Sequence, residues 1–106
     1  MMDGQKNTIR TQPEVLEEIK KILWRHLDKK EYQAFIFGSY AQGKMRRSSD
    51  IDLGIVGKKA VPTMSLVEIE DDLEESDLPF MFDVVDFIKT GEGFKKQAMQ
   101  QTIELN

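Results

Sequence analysis

Residues 32–56 read YQAFIFGSYAQGKMRRSSDIDLGIV. Tyr32 to Phe37 is short, aromatic and β-branched, which predicts a strand, and Gly38 stops it. Ile51 to Val56 predicts a second strand, ended by Gly57 and two lysines. Gly38-Ser39 after a strand, followed by Tyr40-Ala41-Gln42-Gly43, predicts a turn into a short helix. Glycine lets a ligand approach the backbone closely, a helix start offers unsatisfied N–H groups, and the serine hydroxyl can donate to a phosphoryl oxygen. Asp50 and Asp52 alternate with Ile51 along the second strand. Their carboxylates therefore share one face, about 7 Å apart, while Ile51 and Leu53 point to the other. Like charges so placed are unfavourable beside each other unless solvent or a cation intervenes. Mg²⁺ takes a few carboxylate oxygens together with substrate phosphates, so Asp-x-Asp suits it.

Working outward, Phe80 to Ile88 (FMFDVVDFI) predicts a third strand with two aspartates in it. An aspartate inside an apolar strand costs burial energy unless paired or metal-bound. Strand parity separates the two. Asp83 shares a face with Met81, Val85 and Phe87, and Asp86 with Phe82 and Val84. One of them could complete a metal site with Asp50 and Asp52, and the other would cap the strand's exit. Three carboxylates are the count needed to hold two divalent ions about 3.5–4 Å apart for in-line phosphoryl chemistry.

Upstream, Pro13 suits a first helical turn with Thr11 or Gln12 before it as the cap. Val15, Leu16, Ile19, Ile22, Leu23 and Leu27 then follow at helical spacing. His26 lies on that stripe and reads as a core-edge histidine near a helix C-terminus. Trp24 lies off it, either as a partner contact or as a boundary residue packed by a neighbouring loop. Ser65 to Glu75 predicts a helix with Leu66, Ile69 and Leu73 inward and an acidic run outward. Pro79 closes that helix. After Gly91 and Gly93, Phe94, Ala98, Met99 and Thr102 or Ile103 predict a closing helix. Residues 1–11 are polar and read as a loose tail, and residues 12–106 as one domain. The fold class expected is α+β, an α/β sandwich with a small mixed β-sheet packed by helices.

Composition narrows the chemistry. The chain has 106 residues, of which 40% are hydrophobic and 32% charged, with no cysteine and a single histidine. Disulfide scaffolds, thiolate nucleophiles and cysteine-ligated zinc are excluded. One histidine excludes a multi-histidine metal site and leaves histidine-based triads without support. Carboxylates, hydroxyls, lysines and arginines must carry any reaction. The net charge of −4 argues against a general nucleic-acid binder. The acidity is local, since seven of the ten residues from Glu68 to Asp77 are acidic. Lys44, Arg46 and Arg47 lie between the Gly-Ser turn and the aspartates, where a triphosphate would need neutralising. No apolar run is long enough to span a bilayer and the N-terminus carries no apolar leader. A cytoplasmic location is the expectation.

Gly-Ser-x10-Asp-x-Asp coincides by chance on the order of once per thousand chains of this length. The stretch FGSYAQGKMRRSSDIDLGIV resembles the core motif of the polymerase-beta-type nucleotidyltransferase superfamily. The short chain and SDLPFMFDVVDF are similar to its minimal nucleotidyltransferase (MNT) branch. That resemblance implies that Gly38 and Ser39, with Lys44 and Arg47, bind the nucleotide's phosphates. It implies that Asp50 and Asp52 coordinate two Mg²⁺ ions. By position the third carboxylate falls on Asp83, which would also help deprotonate an acceptor hydroxyl, with Asp86 as the alternative. The implied reaction moves a nucleoside monophosphate, AMP from ATP, onto a hydroxyl, and pyrophosphate leaves. MNT proteins are commonly paired with a helical HEPN protein as a toxin–antitoxin module. The resemblance thus implies an antitoxin that adenylylates a HEPN-type toxin within a hetero-oligomer, with neither nucleic acid nor membrane as partner. Two other readings compete: an antitoxin that acts by occlusion, and an antibiotic-type small-molecule nucleotidyltransferase. Trp24, Met64, Met81, Met99 and the acidic helix are the candidate partner surface.

Overall fold

The computed structural model describes residues 13–43 and 50–106. The expected tail, residues 1–11, lies outside them. Helix α1, Pro13–His26, opens with Pro13 and Glu14 and closes with Arg25 and His26, charges that suit its dipole at both ends. Its stripe is buried as the spacing predicts: Val15, Ile19, Ile22 and Leu23, with Leu27 just beyond. Each such aliphatic side chain contributes about 1.5–3 kcal/mol by leaving water.

Strand β1 is Tyr32–Phe37, followed at once by the single-turn helix α2, Gly38–Ala41. Strand β2 is Asp50–Gly57 and helix α3 is Thr63–Glu75. Strand β3, Met81–Asp86, runs into a 3₁₀ turn at Phe87–Lys89. Helix α4, Glu92–Ala98, and the two-residue strand β4, Ile103–Glu104, complete the described elements. The strands form a four-stranded sheet in the order β3-β2-β1-β4. β1 is antiparallel to both β2 and β4, and β2 is parallel to β3. The mixed sheet packed by helices is therefore the α+β arrangement expected.

The two central strands are buried on both faces, and parity divides the core in two. Ala34, Ile36, Ile51, Leu53 and Ile55 point towards α1 and α3 and join their Ile19, Ile22, Leu23, Ile69 and Leu73. Phe35, Phe37 and Phe87 form a second cluster on the opposite face, with Val56, Val85 and Ala98 against it. Gly54 is needed beneath that cluster, because a Cβ there would come within 2.5 Å of the Phe35 ring and 2.7 Å of Phe87.

Four expectations change. The third strand stops at Asp86 instead of Ile88, because the Asp86 carboxylate accepts from the Ile88 N–H and turns the chain into the 3₁₀ segment. The closing helix ends at Ala98, and Ile103 belongs to β4, not to the helix. Trp24 faces its own chain: it packs against the main core and its Nε1 donates to the Leu105 carbonyl at 3.0 Å. It is a boundary residue held by the C-terminal segment and leaves the candidate partner surface. His26 does sit at the core edge. Its Nε2 lies 2.7 Å from Asp72 Oδ2 and its Nδ1 3.3 Å from Glu68 Oε1. Part of the acidic run on α3 thus faces α1 instead of solvent.

Candidate active site

The face of the sheet opposite α1 and α3 carries the carboxylates. Asp50 and Asp52 alternate on β2, and the register pairs Asp52 with Asp83 on parallel β3. Residues paired in register point the same way, so Asp50, Asp52 and Asp83 share that face. Asp50 itself is paired with Met81. On the other flank, antiparallel β1 sets Phe37 opposite Asp52. One row across the sheet therefore reads Phe37, Asp52, Asp83. Asp52 is half-buried, while Asp50 and Asp83 are exposed.

This clustering has an electrostatic consequence. The Asp52 carboxyl titrates above its ordinary range, first because burial disfavours the charged form, then through repulsion from Asp83 and Asp50. As they stand, the three side chains do not converge into a closed ligand set, and no group of three acidic or histidine ligands does so among the described residues. The donors nevertheless fit a hard divalent cation. They are all carboxylate oxygens, they repel one another, and they share one open face. Asp50, Asp52 and Asp83 are the residues that would hold such ions.

Gly38 ends β1 beside this row. Its φ of +77° is a left-handed conformation that a residue with a Cβ rarely adopts. A Cβ there would also run into Asp52 Oδ2. The turn requires glycine at 38, and any Cβ there would push the Asp52 carboxylate out of its place. The turn is anchored from below, since Tyr40 and Ala41 are 1% exposed and the Tyr40 ring meets Phe80 edge-on at 5.8 Å. Ser39 is left exposed at the start of α2. Gly38, Ser39, Asp50, Asp52 and Asp83 are thereby brought to one edge of one face. Lys44 and Arg47 lie outside the described residues, as does Arg46.

Asp86 has a different task. It is 7% exposed, and its Oδ2 accepts from the Val61 N–H at 2.8 Å. Its Oδ1 accepts from the Ile88 N–H at 3.2 Å. Both oxygens are engaged by backbone, on the face away from Asp50 and Asp52.

Comparison with known proteins gives the family. A family model described as "Polymerase beta, Nucleotidyltransferase" matches residues 17–106. The chain belongs to that family. Among curated proteins it is 32% identical over 66 residues to MntA of Haemophilus influenzae, named a probable protein adenylyltransferase. That match covers 62% of this chain and 58% of the relative, so it spans less than two thirds of the relative's length. It is 37% identical over 71 residues to MJ1215 of Methanocaldococcus jannaschii, named for the same activity, covering 62% of this chain and 83% of that one. Among solved structures, a toxin–antitoxin crystallised with AMP-PNP superposes with a TM-score of 0.71 at 27% identity. The superposition covers 86% of this chain and 72% of the other.

Sequence reasoning missed the supports of the site. Phe80 gave no sign that it would prop Tyr40, nor Val61 that its N–H would tie down Asp86. Phe94 lies in the closing helix as expected, but its placement on the carboxylate face, 47% exposed with its ring 6.0 Å from that of Phe37, had no signal in the sequence.

Proposed function

We propose that this chain is a Mg²⁺-dependent nucleotidyltransferase that moves AMP from ATP onto a hydroxyl of a protein partner. The partner we propose is a HEPN-type toxin, which makes the chain the antitoxin of a hetero-oligomer in the cytoplasm. The observation that carries the reading is the row of Asp52 and Asp83, with Asp50 alongside, next to the Gly38-Ser39 turn. Family membership supports the reaction class. The names of the two curated relatives support adenylylation of a protein, and the AMP-PNP of the toxin–antitoxin structure supports the donor and the setting.

In this reading the Gly38 and Ser39 amides and the Ser39 hydroxyl grip phosphate oxygens, and Lys44 and Arg47 neutralise them. Asp50, Asp52 and Asp83 would hold two Mg²⁺ ions, which would supply positive charge against the negative charge that builds up during phosphoryl transfer. Asp83, exposed on the edge strand β3, is open to an incoming acceptor and would help to take its proton. Catalysis of this kind is positioning plus charge neutralisation and needs no histidine or cysteine.

Incubation with α-labelled ATP, Mg²⁺ and a HEPN-type protein as acceptor tests the reading. Label is expected on that protein, and Asp50→Asn or Asp52→Asn is expected to lower transfer at least a hundredfold. Neutralisation of the toxin by both variants, with no label from the wild type, would favour occlusion instead. Label confined to an added aminoglycoside would point to a small-molecule acceptor.

A further inference from the structure

The face that carries the carboxylates also carries an aromatic cluster, and its members differ in how much ring surface they leave free. Phe37 and Phe87 are 7% and 0% exposed. Their rings meet edge-on at 5.2 Å, and Phe35 meets Phe87 in the same way at 5.0 Å. Phe94 caps this group from α4, at 6.0 Å from Phe37 and 5.6 Å from Phe87, and keeps 47% of its surface in solvent. No residue of α4 is fully buried, so the helix rests on the sheet largely through this ring and the half-buried Ala98. The approach beside it is open, since a Cβ at Gly91 or Gly93 would meet nothing within 4 Å.

Position gives this ring a possible ligand. Phe37 is both the residue opposite Asp52 and the one immediately before Gly38. A nucleotide whose phosphates lie at Gly38 and Ser39 can thus reach Phe94 by extending past Phe37. A nucleobase is flat and largely apolar, and a half-exposed phenyl ring is a surface on which it loses water favourably. We propose that Phe94 is a positioning residue of the site, the shelf on which the base of the donor nucleotide stacks. The inference rests on the nucleotidyl-transfer reading above and adds to it the element that receives the base. A stacking shelf accepts every base, so Phe94 supplies affinity for nucleotides over bare phosphates without choosing adenine.

Three variants and two ligands, ATP and inorganic tripolyphosphate, both with Mg²⁺, test this. Phe94→Leu keeps an apolar anchor for α4 and removes the π face. It is expected to keep the wild-type melting temperature, bind ATP roughly tenfold more weakly and bind tripolyphosphate unchanged. Phe94→Ala should show the same split between ligands. Phe94→Trp is expected to retain ATP affinity, with its indole emission quenched by ATP and not by tripolyphosphate. Wild-type ATP affinity in Phe94→Leu would overturn the inference. So would equal weakening towards both ligands, which is what a merely structural role would produce. Wild-type protein that binds neither ligand would remove the nucleotidyl-transfer reading, and this inference with it.

Discussion

Asp83 and Asp86 sit three positions apart in one strand and do opposite things. Asp83 points to the carboxylate face and is exposed, whereas Asp86 points away and both its oxygens accept backbone N–H groups. Removing each should therefore move a different measurement. Asp86→Ala strands the Val61 N–H in the core and undoes the 3₁₀ cap, a loss of about 1–3 kcal/mol in chemical denaturation. Asp83→Asn removes a charge that repels Asp52, so the fold should hold or gain stability while nucleotidyl transfer falls. A pair of variants with the reverse pattern would exchange the two assignments. Gly38 gives a second residue-scale expectation. Gly38→Ala forces a Cβ into a positive φ, which should cost about 1–3 kcal/mol, and displaces the Asp52 carboxylate, which should impair nucleotide binding. An alanine variant with unchanged stability and ATP affinity would show that the turn tolerates a Cβ. At this scale the sequence was legible in its parity, which told the two aspartates apart by face. It could not say which face was open, because that depends on where α1 and α3 settle.

Between elements, the contact most exposed to pH is the one joining α1 to α3. Asp72 accepts from His26 at 2.7 Å and from Arg25 Nη1 at 3.1 Å. The His26 hydrogen bond holds its carboxyl below the ordinary value of 3.8; burial opposes it, and the charges of His26 and Arg25 with the Arg25 hydrogen bond reinforce it. A group whose folded pKa is depressed stabilises the fold above its unfolded pKa and loses that contribution as pH falls through the folded one. Wild type should therefore melt above Asp72→Asn near pH 6, and the two curves should converge below pH 3.8. A gap that stays constant from pH 6 to pH 3 would mean that Asp72 acts through packing and not through charge. The long elements were legible because each carries a period: α1 by its apolar stripe, β1 and β2 by their runs and glycine stops. β4 was not, since two residues carry no period. It exists through tertiary pairing, with Leu105 fully buried and its N–H on the Ala34 carbonyl at 2.9 Å. The Asn106 side chain adds a bond at each end, accepting from the Ala34 N–H and donating to the Tyr32 carbonyl.

Across the whole molecule, the sheet separates the face covered by α1 and α3 from the face that carries the carboxylates, and the acidic charge is divided in a related way. Glu68 and Asp72 are engaged by His26 and Arg25. Glu70, Asp71 and Glu74 form no ion pair among the described residues and are exposed. Glu70 and Glu74 border a groove of about 330 Å³ whose other walls are Phe80, Met81 and Phe82. Met81, 69% exposed, stands beside Asp50 in the register. The groove thus adjoins the carboxylate end of the sheet, with an apolar floor and an acidic rim. A protein that delivers a hydroxyl to Asp83 would pass this rim, and a basic surface would be drawn to it through unscreened charge. Reversing Glu70, Asp71 and Glu74 to lysine should weaken association with the proposed HEPN-type partner at least tenfold at low salt and less at high salt. Because those side chains form no ion pair or side-chain hydrogen bond among the described residues, melting temperature and ATP affinity should stay at wild-type values. Association that survives the reversal unchanged at every salt concentration would move the partner to another face. Loss of ATP binding along with the partner would mean that the groove belongs to the nucleotide site itself.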